Sequence, residues 1–451
     1  MQGVGLGLPT VGWRAVAFSS ADTLLAVLAA LPPDADLAVV RRETPGAAID
    51  IRRPGEWVVG VAPDARVEAS GADALAWLDR LSGGWWAGWL AYELGRAVER
   101  VERRRPDDLG VPDLSLARFD TRLVVGPTGL RLEGDGRTRP LLSAAVRRAR
   151  AAGGPPARPA GAGLGLAPFA SSLDRAAFEA GVAEIVDLVR AGQCYQVNLT
   201  RRLTSESAAD PLALFGALVR HHPAPHAALL RFGDRAVVSA SPERFLRRRG
   251  DAVETRPIKG TAGERAVLVG SAKDRAENVM ITDLARNDFG RVCLPGSVAV
   301  PALCAPEAHP GLWHLVSTVT GQLRPGVGTG TLVRATFPPA SVTGAPKPRV
   351  LQAIEDLEPV ARGVYCGAVG WIGELHQPSL EHTRAALDLN VAIRTFQILD
   401  GRTHLGVGGG ITVDSDPAAE WRETELKAAR LLAVAGAPEE AGIAGGIGVV
   451  A

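Results

Sequence analysis

Cysteine is scarce in this chain. There are four in 451 residues, at positions 194, 293, 304 and 366. None has C-x-x-C or other zinc-ligand spacing, and four are too few to staple a chain this long. A disulfide scaffold and a structural zinc site are thereby excluded, and a reducing compartment, the cytoplasm, is expected. Net charge is equally lacking: 50 basic against 49 acidic residues leave a formal +1. That balance gives no electrostatic footprint for nucleic acid or an anionic membrane. The arginine runs at 103–105 and 247–249 are short, adjoin acids or glycine, and read as solvated surface. Residues 1–10 carry no basic leader before an apolar core, and no apolar run reaches the length of a membrane span. These absences point to a soluble intracellular protein.

What is present is globular. A hydrophobic content of 46% with 22% charged residues can bury a large core, and 451 residues exceed one ordinary core. Two lobes, or one intertwined domain with an added region, is the expectation. Residues 1–150 mix strand-like pieces at 37–40, 57–61 and 123–125 with a helix-like stretch at 72–81. Glycines alternate with Trp85, Trp86 and Trp89 over 83–95. That cluster reads as a close-packed interface, not a ligand cage. Residues 151–168 turn to Gly, Pro and Ala and read as a linker. Residues 169–433 carry the chemistry, and 434–451 form a Gly/Ala tail.

Periodicity sharpens past the linker. Residues 173–190 read as an amphipathic helix ending near Gly192. Residues 194–203 alternate, with Tyr195, Val197 and Leu199 on one face and Gln196, Asn198 and Thr200 on the other. A second strand over 387–396 places Leu387, Leu389, Val391 and Ile393 inward and Asp388, Asn390 and Arg394 outward.

Four stretches could carry chemistry. In 254–261, Glu-Thr-Arg-Pro-Ile-Lys-Gly-Thr, Pro257 and Gly260 hold Lys259 on a turn, where it is either a nucleophile or a solvated lysine. Ser271 and Asp274 form a capping box for a helix through 284, with Asp274 and Glu277 stacked at i, i+3 and Ala276, Val279 and Met280 for apolar contact. In the last helix Asp416 is an apt N-cap and Pro417 an apt first residue, and Glu420, Glu423 and Lys427 share a face. Taken alone, Glu423 and Lys427 read as an exposed ion pair worth about 0.2–0.5 kcal/mol. The glycines of 406–411 suit either an anion-binding nest of backbone amides or a tight turn. Their spacing fits neither a dinucleotide nor a Walker phosphate site.

Taken together, 171–433 resembles the chorismate-utilising enzymes, which include the anthranilate synthase large subunit, aminodeoxychorismate synthase component I, and the isochorismate and salicylate synthases. The resemblance rests on Tyr-Gln-Val-Asn-Leu-Thr at 195–200, Ser-Pro-Glu-Arg-Phe at 241–245, Arg-Pro-Ile-Lys-Gly-Thr at 256–261 and Lys-Asp-Arg-Ala-Glu-Asn at 273–278. It continues through 283–288, His-Leu-Val-Ser at 314–317, Ser-Val-Thr-Gly-Ala-Pro-Lys at 341–347, 362–367, 392–395 and 420–427. It implies an α+β fold of two large, mostly antiparallel sheets packed as a sandwich, with helices outside and a Mg2+-dependent site between them. By the same resemblance Glu277 and Glu423 are metal ligands, with Asp274 and Glu420 completing the acidic shell. Arg394, Tyr365, Lys427 and the amides of Gly408, Gly409 and Gly410 hold the carboxylates of chorismate. Glu243 is the general acid/base, and His314 and Thr343 line the ring pocket.

Two positions separate the members. The isochorismate and salicylate enzymes carry a water-activating lysine where Gln196 stands. Anthranilate synthases carry alanine where Lys259 stands, and a lysine there is characteristic of aminodeoxychorismate synthase component I. The implied reaction joins the Lys259 amine to C2 of chorismate as the C4 hydroxyl leaves, and ammonia then displaces it at C4. No cysteine lies in a Gly-x-Cys-x-Gly elbow, so a separate glutaminase subunit is expected to supply ammonia. After the short tail no fused lyase is expected. The alternatives are an anthranilate synthase large subunit, a synthase serving antibiotic rather than folate supply, and a catalytically silent chorismate-binding subunit.

Overall fold

The computed structural model describes residues 20–42, 55–81, 83–154, 164–309, 312–376 and 383–436. The expectations for residues 1–10, for 155–163 of the linker and for 437–451 of the tail lie outside them.

Two antiparallel sheets dominate. The first runs Gly344–Ala345, Gln196–Ser205, Arg402–Ile411, Thr395–Leu399, Arg235–Ser241, His226–Phe232, Leu37–Arg42, Glu56–Val61, Arg122–Gly126 and Gly129–Glu133, with Phe169–Ser171 added beside Gln196–Ser205. The second runs Ile258–Ala262, Leu312–Gln322, Ala252–Arg256, Arg244–Arg249, Thr383–Val391, Ala368–His376, Trp85–Leu90, Leu114–Phe119 and Ala65–Ala69, with Ala299–His309 beside Leu312–Gln322. This is the expected α+β sandwich. Strands from before residue 150 and after residue 164 hydrogen-bond directly to one another in both sheets: Leu37–Arg42 pairs with His226–Phe232, and Trp85–Leu90 with Ala368–His376.

A layer of Val40, Val58, Ala87, Trp89, Phe119, Leu230, Val237 and Val369 joins the two sheets. Helices Ser20–Ala29, Arg139–Ala152, Pro211–His221 and Pro417–Ala435 close the outer face of the first. The tryptophan-glycine segment behaves as its composition suggests. Trp89 is 1% exposed and stacks on Phe232 with ring centroids 5.6 Å apart. Gly88 has no room for a side chain, since a Cβ there would lie 1.9 Å from the Ser115 carbonyl oxygen.

Three local expectations need correction. The strand near 194 runs Gln196–Ser205 and is buried on both faces, because the row Gln196, Asn198 and Thr200 looks into the molecule; Tyr195 lies outside it and is 69% exposed. The strand expected over 387–396 is two. Thr383–Val391 belongs to the second sheet and Thr395–Leu399 to the first, and residues 392–394 carry the chain across, with Arg394 at φ 52°. The row expected outward is inside: Asp388 pairs with buried Arg244 at 3.0 Å, and Asn390 donates to the His226 carbonyl at 2.9 Å. In the helix Ala272–Gly290 the Ser271 cap forms, accepting from the Asp274 amide at 3.2 Å. Ala276 and Val279, however, face solvent. Asn278, Ile281, Ala285 and Phe289 turn inward instead, and the Asn278 amide donates to the Leu315 carbonyl at 2.9 Å, which fixes that face against strand Leu312–Gln322.

Candidate active site

Lys259 sits on the edge strand Ile258–Ala262, not on a free turn. A register shift between Lys259 and Thr261, with Gly260 at φ 75°, marks a bulge, a device that re-aims side chains. A Cβ on Gly260 would lie 2.9 Å from Asp274, so glycine is needed for the helix Ala272–Gly290 to approach. The Lys259 side chain is 12% exposed, and its amine lies 4.0 Å from the Glu277 carboxylate. Burial pushes that amine below the ordinary lysine pKa; Glu277 opposes the shift and Lys427 adds to it.

The opposite wall belongs to the first sheet. Gln196 is fully buried, and neither its amide nitrogen nor its oxygen has a hydrogen-bond partner among the described residues. An orphaned buried amide is costly unless something binds it. A Cβ on Gly410 would come within 2.9 Å of that amide and 3.1 Å of the Lys259 nitrogen, so the three converge on one point. The glycines of 406–411 are neither nest nor turn. They lie in strand Arg402–Ile411, paired through Gly408 with Thr200 and through Gly410 with Asn198. The neighbouring strand Thr395–Leu399 stops pairing at Leu405, leaving the glycine edge open on that side.

Glu243 is 3% exposed. Burial pushes its pKa up to about 7, against the pull of Ser341, Lys259 and Arg394, which suits a group that must hold and release a proton near neutrality. His314 is 2% exposed, and its Nδ1 lies 2.9 Å from the Thr261 hydroxyl and 3.2 Å from the Gly260 carbonyl. A carbonyl can only accept, so Nδ1 carries the proton and Nε2 presents a lone pair. That Nε2 has no partner among the described residues. Thr343 is buried, and its hydroxyl donates to the Pro339 carbonyl at 2.9 Å. Its own carbonyl accepts from the Asn198 amide at 2.8 Å, steadying the strand that carries Gln196.

Arg394 feels Glu243, and burial lowers its pKa to about 10, with Arg430 adding to the shift. Among the described residues no carboxylate lies within ion-pair distance of its guanidinium. Tyr365 is placed differently. Its ring packs on Gly406, roughly 13 Å along the strand from Gly410 at about 3.3 Å per residue, and it lines a separate cavity with Arg201, Arg202, Glu358 and Arg362.

The carboxylates come from two helices. Burial raises the Glu277 pKa and Asp274 and Glu423 add to it, while Lys259 and Lys273 oppose. Glu420 is 6% exposed, accepts from the Ser415 hydroxyl at 2.7 Å, and has its pKa raised by burial and by Glu423. Glu423 forms the i, i+4 pair with Lys427 at 2.7 Å, and that ammonium, against the effect of burial, holds its pKa below the usual carboxylate range. Lys427 also donates to the Gly408 carbonyl at 2.9 Å. No three Asp, Glu, His or Cys side chains among the described residues converge into a cage that would hold an ion unaided. Glu277 feels the charge of Glu423, so carboxylates of the two helices share one neighbourhood, and carboxylate oxygen is the donor type that Mg2+ takes beside water and substrate oxygens.

Sequence reasoning missed His222, His309 and Ser341, which border Arg394, His314 and Glu243 respectively. Ser341 opens the motif at 341–347 but its pairing with Glu243 is not legible there, and no local pattern marks the two histidines, whose partners lie far along the chain or on another strand.

A family model described as chorismate binding enzyme matches residues 49–433. The aminodeoxychorismate synthase component 1 of Klebsiella aerogenes is 36% identical over 356 residues, 76% of each chain. That of Escherichia coli K12 is 36% identical over 357 residues, 76% of this chain and 75% of its own. The anthranilate synthase component 1 of Pseudomonas putida is 35% identical over 379 residues, 77% of this chain and 73% of its own. Among solved structures, anthranilate synthase component I from Streptococcus pneumoniae TIGR4 superposes with a TM-score of 0.71 at 24% identity, covering 87% of this chain and 95% of that one. With a family model spanning most of its length, and its sheets converging on a pocket of unpaired polar groups, the chain belongs to the chorismate binding enzymes.

Proposed function

We propose that the chain is component I of an aminodeoxychorismate synthase, converting chorismate and ammonia to 4-amino-4-deoxychorismate for 4-aminobenzoate and folate supply. The observation that carries the reading is Lys259: a secluded amine, facing the unpartnered amide of Gln196, with a second cation nearby to favour its neutral form. The neutral amine adds to C2 of chorismate while the ring double bonds shift and the C4 hydroxyl departs. Glu243, protonated near neutrality, gives that hydroxyl its proton, so water leaves. Ammonia then adds at C4, the double bonds shift back, the bond from C2 to the Lys259 nitrogen breaks, and the carboxylate of Glu243 takes up the excess proton. Gln196 cannot serve as a base for water, which disfavours hydroxylation at C2. Arg394 binds one substrate carboxylate, a planar guanidinium suiting a planar anion. Glu277 and Glu423 would hold Mg2+, with Asp274 and Glu420 beside them, and the ion would supply Lewis-acid stabilisation of the ring carboxylate.

Every group in this proposal lies in 169–433, with residues 1–150 as framework. A separate glutaminase subunit supplies the ammonia, and the complex works in the cytoplasm. The runner-up is an anthranilate synthase component I, favoured by the 35% identity to the Pseudomonas putida protein. Purified chain given chorismate, Mg2+ and ammonium decides between them. A product that a lyase converts to 4-aminobenzoate supports the proposal; fluorescent anthranilate or no product defeats it. The Lys259→Ala variant should form no chorismate adduct detectable by intact mass, and an adduct that survives would remove Lys259 as nucleophile.

A further inference from the structure

Arg394 is a mostly buried guanidinium with an unusual companion. Its Nη1 lies 3.3 Å from Nε2 of His222, and no carboxylate comes within ion-pair reach among the described residues. Guanidinium has five N–H donors and no acceptor, so the imidazole nitrogen must accept. His222 is therefore neutral with its proton on Nδ1. Its own position is fixed by the fold: it caps the C-terminus of helix Pro211–His221, and its amide donates to the Leu218 carbonyl at 2.8 Å. The Arg394 backbone is pinned from the other side, its carbonyl accepting from the Ala240 amide at 3.0 Å while φ stands at 52°. Both residues are anchored through their backbones.

A carboxylate at position 222 would aim the guanidinium equally well, but it would cancel the charge meant for the substrate and compete for the same N–H groups. A neutral acceptor aims without cancelling. We propose that His222 is a positioning residue for anion binding, orienting Arg394 toward a substrate carboxylate while leaving its positive charge undischarged. The inference rests on the proposed function in one respect, that Arg394 grips a carboxylate of chorismate.

The test is steady-state kinetics with chorismate, Mg2+ and ammonium on the full chain and four variants. His222→Gln and His222→Asn keep a neutral acceptor and should stay within about threefold of the parent in KM, whereas His222→Ala should raise KM for chorismate roughly 10- to 100-fold with kcat nearly unchanged, as expected when binding alone is lost. His222→Asp should be at least as impaired in KM as His222→Ala, although it offers Arg394 a stronger partner. Equilibrium binding of chorismate, read by tryptophan fluorescence, should follow the same order even if one variant is too unstable for long assays. If the parent neither binds nor consumes chorismate, the functional reading falls and this inference with it. If the parent is active and His222→Ala leaves KM unchanged, or His222→Asp binds chorismate as well as the parent, the positioning role alone is overturned.

Discussion

Glu243 shows most clearly how one side chain trades stability for chemistry. Burial raises its pKa to about 7 from an ordinary 4.5. Below pH 4.5 the folded and unfolded chains both hold this proton and it has no effect. As pH rises through 4.5 to 7 the unfolded chain releases the proton and the folded chain keeps it, so stability falls across that window. Glu243→Gln should therefore raise the melting temperature more at pH 8 than at pH 4.5, while slowing turnover with chorismate. Thermal unfolding at the two pH values checks the first half, and equal shifts would contradict it. At this scale the motif matches pick out Lys259, Gln196, Glu277 and Glu423, and the fold gathers them, with the Lys259 amine 4.0 Å from Glu277. Their surroundings are not legible in the sequence. His222 lies 172 residues from Arg394, and no spacing rule connects the two.

Among the elements, strand Arg402–Ile411 shows why glycine recurs at alternate positions. A Cβ on Gly408 would meet the Leu199 carbonyl oxygen at 2.3 Å, part of the neighbouring strand's backbone. The nearest atoms to a Cβ on Gly410 would be the side-chain ends of Gln196 and Lys259, not backbone. Gly408→Ala should therefore lower the urea midpoint markedly, by an amount in the overpacking range of about 1–3 kcal/mol. Gly410→Ala should leave that midpoint close to the parent and raise KM for chorismate. Urea unfolding and kinetics on the two variants separate the roles; matching effects would mean that both glycines serve packing alone. The sequence offered a nest or a turn here, because consecutive glycines are locally ambiguous, and only pairing with Gln196–Ser205 resolves them. The break at 392–394 was hidden for a related reason. Alternation continues across it, so a change of sheet leaves no trace in periodicity.

For the molecule as a whole, four histidines, His314 and His404 buried and His222 and His309 half-buried, respond to acid in one direction. Burial, followed by a neighbouring arginine for His222, His309 and His404 and by His309 for His314, lowers the first three to about 4 and His314 to about 3. The unfolded chain takes up these protons below pH 6.5 while the folded chain refuses them until about 4. Stability is therefore lost as pH falls from 6.5 to 4. Carboxylates that burial raises, Glu243, Glu277 and Glu420 among them, work in the opposite direction. His404→Gln should therefore lose less of its unfolding midpoint than the parent between pH 6.5 and 4, and parallel profiles would contradict the neutral, buried state of that ring. The two-sheet α+β fold could be expected from the resemblance. The contribution of the first 150 residues to both sheets could not, because pairs such as Leu37 with Arg231 span nearly the whole intervening chain.

The passage of the backbone from one layer to the other at Ala392, Ile393 and Arg394 has a mechanical corollary. Any shear of the layers would swing the Arg394 guanidinium, so the alignment of the two sheets decides where that charge sits.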